Sequence, residues 1–441
     1  MEDLGAELTT AEPRIAIIGG GYAGIAAAVR LAELGRRSTV FEAGKVLGGR
    51  ARRIDYRGTI LDNGQHILSG AYTELLRMMA LVGVPPSTWR RIPLTLNISP
   101  DFSLRAPKLP APLHLLWAML TARGLSLGER WKAIRLMHAL KRCHFTVDPS
   151  WSVAHLLDHH QQPARLVRNL WQPLTISALN TPIEAASAQV FACVLRDALA
   201  STREASDLIL PQVDLSALFP APAADWLTAQ GGEVRLGTRI ARIDRDDARQ
   251  WAIHKSELAN NASESFDRII VAVAPHQLES LGLPEKLLPQ PLGFEPIYTV
   301  YLQYAQSVPL SHAMLGRVTG HCQWFFDRER LSGATGLVAA VISASGPHES
   351  LDQDELAQRV HGELETQVGP LPPPLWHKVI AEKFATFACT PALRRPTAET
   401  ALPGLYLAGD YIACDYPATL EAAVRNGAHA AELAHASLPQ R

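Results

Sequence analysis

No apolar run in this chain approaches the roughly 18 residues that a bilayer-crossing helix needs, so a membrane-spanning protein is not expected. The first dozen residues, Met1 to Glu12, are polar and mixed, without the basic-then-apolar pattern of an export signal. Charge of one sign is also missing. The formal net charge is −1, which gives no bulk attraction to nucleic acid. Cysteine is scarce, at five residues in 441, and no two form a C-x-x-C pair. Cys143, Cys193, Cys322, Cys389 and Cys414 are odd in number and scattered, which suits neither a zinc site nor a disulfide scaffold. A reducing cytoplasm is the expected home. No sequence repeat is present.

At this length two domains are the natural expectation. Apolar residues make up 47% of the chain and charged ones 19%, a greasy balance for a freely soluble enzyme. Near the start, Arg14-Ile-Ala-Ile-Ile runs into Gly19-Gly-Gly-Tyr-Ala-Gly24 and then into an alanine-rich helix. Eighteen residues after Gly24, Ser38-Thr-Val-Phe-Glu42 ends in a carboxylate. A strand, a glycine turn, a helix and a second strand with an acid at its tip is the layout of a dinucleotide-binding βαβ unit. Gly19 allows the tight turn, Gly21 lets the backbone approach a pyrophosphate, and Gly24 lets the helix pack closely on the sheet. The helix N-terminus offers free N–H groups and a positive dipole end to phosphates. Glu42 is placed to accept hydrogen bonds from ribose hydroxyls, and its charge repels a 2′-phosphate. No second G-x-G-x-x-G follows, so a built-in nicotinamide domain is not expected.

Farther along, Leu47-Gly-Gly-Arg50-Ala51 and Thr59-Ile-Leu-Asp-Asn-Gly-Gln-His66 carry glycine turns of the kind that keep backbone near a ligand. By itself, Asp62-Asn63-Gly64 reads as a hairpin turn. From about Arg90 to Ser206 the pattern is helical, with strand signals nearly absent. Dinucleotide-fold strands return at Gly231 to Asp244 and Phe266 to Pro275, and alternating strands are expected near Ile297 to Tyr304 and Gly336 to Ser343. An amphipathic helix near Asp352 to Val368 precedes a Pro-rich loop, Gly369 to Pro374. Last come a strand ending in Gly409-Asp410 and a helix from about Ala418 to His435. The expected fold is α/β: a Rossmann-like dinucleotide domain assembled from residues 14–90, 208–282 and 398–441. It interleaves with a helix-rich α+β substrate domain, 91–207 and 283–397.

The closing segment points to a flavin. Asp410 at a strand C-terminus suits ribityl hydroxyls, and a helix starting near Pro417-Ala-Thr-Leu-Glu421 would aim its N-terminus at the isoalloxazine. Negative charge builds at the N1–C2=O edge of a reduced flavin, and a helix N-terminus stabilises it. An ordinary strand–loop–helix with a capping acid is the alternative for this segment alone.

Gly19-Gly-Gly-Tyr-Ala-Gly24, Gly48-Gly-Arg-Ala51, Gly404-Leu-Tyr-Leu-Ala-Gly-Asp410 and Pro417-Ala-Thr-Leu-Glu-Ala-Ala423 resemble the FAD-containing amine oxidase and phytoene desaturase superfamily. More narrowly, Leu61-Asp-Asn-Gly-Gln-His-Ile-Leu-Ser-Gly-Ala-Tyr72, Trp171 to Pro182, Ala188 to Phe191 and Ser206 to Ser216 resemble the hydroxysqualene dehydroxylases, also described as squalene-associated FAD-dependent desaturases. The likeness runs from about Arg14 to Glu432. It implies noncovalent FAD held by Gly19, Gly21, Ala23, Gly24, Glu42, Ala43, Gly49, Arg50, Ala51, Gly64, Gly409, Asp410, Thr419 and Leu420, with Ile240 on the adenine side. It also implies reductive removal of the hydroxyl of hydroxysqualene, consuming FADH2. That brings an apolar C30 isoprenoid as substrate, a separate electron donor and a functional association with squalene-synthesis enzymes. A carotenoid-type desaturase, an amine oxidase and a non-catalytic lipid-handling flavoprotein are the alternatives.

Hydroxide is a poor leaving group, so a proton donor or cation formation must help it depart. His66 is the first candidate for a polar group near the flavin, as an acid or an orienter, although a histidine beside a turn is often structural. Asp62 and Tyr416 are further catalytic candidates. Cys389 and Cys414 read as buried small hydrophobes rather than flavin attachment points. Between Arg105 and Arg142, eight Arg and Lys stand against one Glu, around the apolar Leu113-His-Leu-Leu-Trp-Ala-Met-Leu120. Such a segment suits either an interfacial helix at the inner face of the membrane or a solvated helical domain.

Overall fold

The computed structural model describes residues 12–100, 102–245, 250–256 and 263–438; the polar residues before Glu12 lie outside these. A five-stranded parallel sheet forms from β1 (Ile15–Ile18), β2 (Thr39–Phe41), β3 (Glu233–Arg235), β4 (Arg268–Val271) and β5 (Leu405–Leu407), in the order β3-β2-β1-β4-β5. One register row runs straight across it: Val234, Val40, Ile17, Ile270 and Tyr406. All four residues of β1 are buried, as a parallel strand covered on both faces requires.

The helices that frame the site are α1 (Tyr22–Glu33), α2 (Thr73–Leu81), α3 (Leu113–Thr121), α4 (Leu127–Arg142), α5 (Gln172–Leu179), α6 (Ala188–Leu199), α7 (Gln353–Val368) and α8 (Leu420–Ala436). Ala23, Ala26, Ala27 and Ala28 of α1 are buried and small, so α8 lies close alongside it. At Gly427 of α8 an added β-carbon would stand 2.1 Å from the Ala23 carbonyl oxygen.

A seven-stranded sheet forms the second layer, in the order Trp376–Phe387, Phe294–Gln303, Leu337–Ser343, Trp324–Asp327, Met314–Arg317, Thr95–Ser99 and Phe102–Arg105. Its pairs are antiparallel except that between Met314–Arg317 and Thr95–Ser99. Alternation divides its side chains. Val338, Ala340 and Ile342 join Leu356, Val360 and Leu364 of α7 in one core, while Leu337, Ala339 and Val341 join the other.

Three expectations are corrected. The stretch after Arg90 is not purely helical, because Trp89–Ile92, Thr95–Ser99 and Phe102–Arg105 are strands. They are short and bounded by Pro93 and Pro100, so their period-2 pattern is easily lost. Of the strands expected at 231–244, only β3 joins the parallel sheet. Ile240–Arg245 instead pairs with Trp251–Lys255 in a separate three-stranded antiparallel sheet. Asp62-Asn63-Gly64 is not a hairpin turn; Arg57 and Gly58, both left-handed, turn the hairpin between Arg53–Tyr56 and Thr59–Asp62.

Gly427→Ala should lower unfolding free energy by about 1–3 kcal/mol through overpacking. Gly362→Ala, inside α7 with no atom near the new methyl, should raise it by about 0.5–1 kcal/mol. Urea titration of the two variants checks both signs.

Candidate active site

A single cavity of about 990 Å³ starts beneath the glycine turn at the carboxyl ends of the parallel strands and extends to the seven-stranded sheet. Its size is at the top of the roughly 300–1,000 Å³ range of ligand sites. At the first end, backbone takes the place of side chains. Gly19 has φ 112°, and a β-carbon there would stand 2.6 Å from the Ala272 carbonyl oxygen; one on Gly24 would stand 1.9 Å from that of Gly19. Glu42 is fixed by backbone donors, Oε2 accepting from Gly20 N at 2.7 Å and Oε1 from Gly44 N at 2.6 Å.

Midway, Arg50 Nη2 meets Asp410 Oδ1 at 2.6 Å and Nη1 donates to the Ala385 carbonyl at 2.6 Å. Burial works against the guanidinium charge, but Asp410 and Glu382 outweigh it and hold its pKa above the ordinary value. Gly409, with φ 156°, leaves no space for a β-carbon, which would stand 2.5 Å from the Tyr411 ring. Asn426 of α8 steadies this turn, its Nδ2 donating to Gly409 O at 3.0 Å and Ile412 O at 3.3 Å. Thr419 caps α8 by accepting from Ala422 N at 3.1 Å. The buried Glu421 carboxylate accepts from Glu74 N and Leu75 N at the start of α2, joining the two helices.

At the far end the walls become apolar. Leu94 and Leu96 come from the Thr95–Ser99 region, Leu174 from α5, Phe191 from α6, and Met314, Trp324 and Phe326 from the seven-stranded sheet. Tyr72, Tyr416 and His66 lie on the wall between the two ends. Burial, with Glu421 nearby, raises the Tyr72 pKa. Burial and a hydrogen bond to Asp197 push that of Tyr416 up to about 12. Both phenols keep their protons. His66 Nδ1 lies 2.7 Å from the Gly64 carbonyl oxygen, which only accepts, so Nδ1 carries the proton and Nε2 is the free acceptor. Burial lowers its pKa and Arg50 adds to this, so the ring is neutral.

Residues 22–435 match the model of the flavin containing amine oxidoreductase family. The chain belongs to this family. It is 31% identical to the hydroxysqualene dehydroxylase of Rhodopseudomonas palustris, over 95% of this chain and 97% of that protein. With that of Zymomonas mobilis it shares 28%, over 95% and 98%. Identity to the 15-cis-phytoene desaturase of Arabidopsis thaliana is 24%, over 94% of this chain and 78% of that one. An oxidoreductase from Methanosarcina mazei (TM-score 0.74, 15% identity, 95% and 100% covered) and the cyclohexylamine oxidase of Brevibacterium oxydans (0.68, 17%, 96% and 98%) share the fold.

Membership in this family implies FAD, and the residues present suit such a group. Glycines fill the places where a β-carbon has no room, a helix N-terminus opens on the cavity, and the buried Tyr411 hydroxyl has no protein partner among the described residues. Gly19, Gly21, Ala23, Glu42, Ala43, Gly49, Arg50, Ala51, Gly64, Ile240, Gly409, Asp410, Thr419 and Leu420 all line the cavity, and Gly24 stands behind it in α1. Asp62 does not line it. Its Oδ1 accepts from Leu215 N at 2.8 Å, Oδ2 lies 3.5 Å from Arg328 Nη1, and burial raises its pKa to about 6 against the pull of Arg328. Neither Cys389 nor Cys414 reaches the cavity. Cys389 is buried as expected, but Cys414 is half-exposed beside Arg395. Sequence reasoning missed Asp197, Glu382 and Trp324, which sit in stretches without a motif. Tyr411 adjoins Gly409-Asp410 and was within reach.

Arg50→Met strips two charge-assisted donors from buried acceptors and should cost about 1.5–3 kcal/mol of stability; calorimetry measures this. The native pKa of His66 lies below its ordinary 6.5, so its contribution to stability is complete above that pH and is lost as pH falls through the native value. His66→Gln should therefore flatten the decline of stability below pH 6.5 in urea titrations.

Proposed function

We propose that this chain binds FAD noncovalently and, with the cofactor reduced, removes the hydroxyl of hydroxysqualene to give squalene. One observation carries the proposal: a single cavity joins a dinucleotide-type end to a large apolar chamber, in a chain that hydroxysqualene dehydroxylases match over 95% of its length. On this reading residues 14–90, 208–282 and 398–441 serve the cofactor, and 91–207 and 283–397 the substrate. With FAD bound, the glycine turn would admit the pyrophosphate, Glu42 would accept from a ribose, Arg50 and Asp410 would hold the ribityl side, and the N-terminus of α8 would stabilise charge on the ring. A separate donor supplies the electrons, and the chain works in functional association with enzymes of squalene synthesis.

The C–O bond breaks, a hydride with its electron pair takes the vacated place, and a proton leaves with the hydroxide as water. Reduced FAD supplies the hydride when bound. The apolar walls keep out water that would trap a cationic carbon. Phe191, Trp324 and Phe326 offer it π faces instead of a nucleophile. Tyr72, protonated across the neutral range, is the phenol free to donate toward the departing oxygen, whereas the single proton of Tyr416 is given to Asp197 and its oxygen can only accept. His66 acts as orienter rather than acid, because only its unprotonated Nε2 is free. Asp62 holds structure, pairing with Arg328 away from the cavity.

The test is anaerobic. The purified protein is reduced and mixed with hydroxysqualene, and flavin absorbance and product are followed together. Reoxidation with squalene formation is expected. A flavin that stays reduced with no squalene overturns the assignment, and conversion of phytoene by the oxidised protein would put a desaturase in its place. Tyr72→Phe should slow the step by roughly 10²-fold, the lower end for a lost proton-transfer group, with FAD still bound.

A further inference from the structure

A helix on a soluble surface turns its apolar stripe to the core. α3 does the reverse. Leu113, Leu116, Trp117 and Leu120, spaced i, i+3, i+4 and i+7, are 52%, 39%, 54% and 37% exposed. The buried face instead carries Ala118 and a histidine, His114, whose Nε2 lies 3.1 Å from Ser206 Oγ. In α4, Leu127 and Trp131 extend the same apolar surface at 69% and 58% exposure. Seven of the twelve exposed large apolar side chains among the described residues fall within 109–131. A patch of this kind with a polar rim marks an interaction site.

The rim is positive. Arg105, Lys108, Arg123 and Arg135 are exposed. The one acid of the segment, Glu129, is committed to the capping box of α4, where its Oε2 accepts from Ser126 N at 2.7 Å. Arg130 donates to the carbonyls of Leu120 and Leu125, locking the end of α3 to α4. No helix among the described residues is long and apolar enough to cross a membrane, and α3 is only about 14 Å long at 1.5 Å per residue. An outward tryptophan on each helix, the short apolar α3 and the exposed cations around it together match the boundary of an anionic bilayer, where acyl chains take the apolar face and headgroups the charge.

We propose that the α3–α4 hairpin is a docking platform for an anionic lipid surface, lying in its plane. The platform abuts the apolar end of the cavity. Ser206, the partner of His114, lines the cavity, as does Leu96 on the strand paired with the one leading into α3. Docked there, the platform would set the apolar end of the cavity beside the bilayer that carries an apolar substrate; this loading role rests on the reaction proposed above, whereas docking does not.

The FAD-bound protein is sedimented with vesicles of phosphatidylcholine alone or of phosphatidylcholine and phosphatidylglycerol in equal parts. Wild type should bind the anionic vesicles, and Leu116→Ser with Trp117→Ser should weaken binding by roughly tenfold or more. Retained flavin absorbance shows that the variant is folded. Added salt should weaken binding to the anionic vesicles. Equal binding by the variant, no binding by wild type, or salt-insensitive self-association through this face would each overturn the platform. With substrate supplied in vesicles or in detergent, the variant should lose activity only in vesicles. Absence of turnover by wild type in both would sink the reaction and leave the sedimentation result standing.

Discussion

Where α8 crosses α1, Gly427 brings the two backbones close enough that no side chain fits between them, and the glycine turn is thereby held against the last helix of the chain. Three side chains of α8 and its cap then reach outward. Asn426 steadies the turn at Gly409, Glu421 caps α2, and Thr419 shapes the helix end that opens on the cavity. Segments nearly 400 residues apart are thus fixed by one helix, whose position depends on the missing side chain at one residue. The parallel sheet supplies the platform, but α8 sets the distances.

The charges at the site are arranged to leave little unpaired. Arg50 is satisfied by Asp410 and by backbone carbonyls, Glu42 by backbone N–H groups, and Asp197 by Arg196 and Tyr416. His66 is neutral and the tyrosines keep their protons. Groups paired in this way present hydrogen-bonding atoms with little uncompensated charge, which suits the apolar chamber beyond them. An isolated charge there would draw water in or force a change of protonation.

Local rules made the cofactor end legible in the sequence. A glycine with no room for a β-carbon, an acid at a strand tip and a helix after a Gly-Asp turn each have a short-range cause, so motif and geometry coincide at Gly19, Glu42 and Gly409. The chamber was not legible in this way. Leu94, Met314 and Trp324 come together only through the pairing of strands more than 200 residues apart. The longest strand among the described residues, Trp376–Phe387, shifts register between the partners of Glu295 and Ile297 and carries His377, Lys378, Glu382 and Lys383, so its polar pattern hides it. Asp62 shows the limit from the other side. It stands in the right motif, four residues from His66, yet its side chain points to Arg328 because the end of a strand sends alternate residues to opposite faces. The segment 105–142 reads as basic around an apolar run at 113–120, but only packing says which face of α3 looks outward.

The strand Leu337–Ser343 carries two messages on alternate residues. Positions 338, 340 and 342 build the core under α7, whereas Val341 and Ser343 look into the chamber. A lineage could therefore redraw the shape of the molecule it accepts by changing positions 341 and 343, while 338, 340 and 342 keep the core under α7 intact. Substrate range and thermal robustness are inherited on separate letters of one seven-residue word.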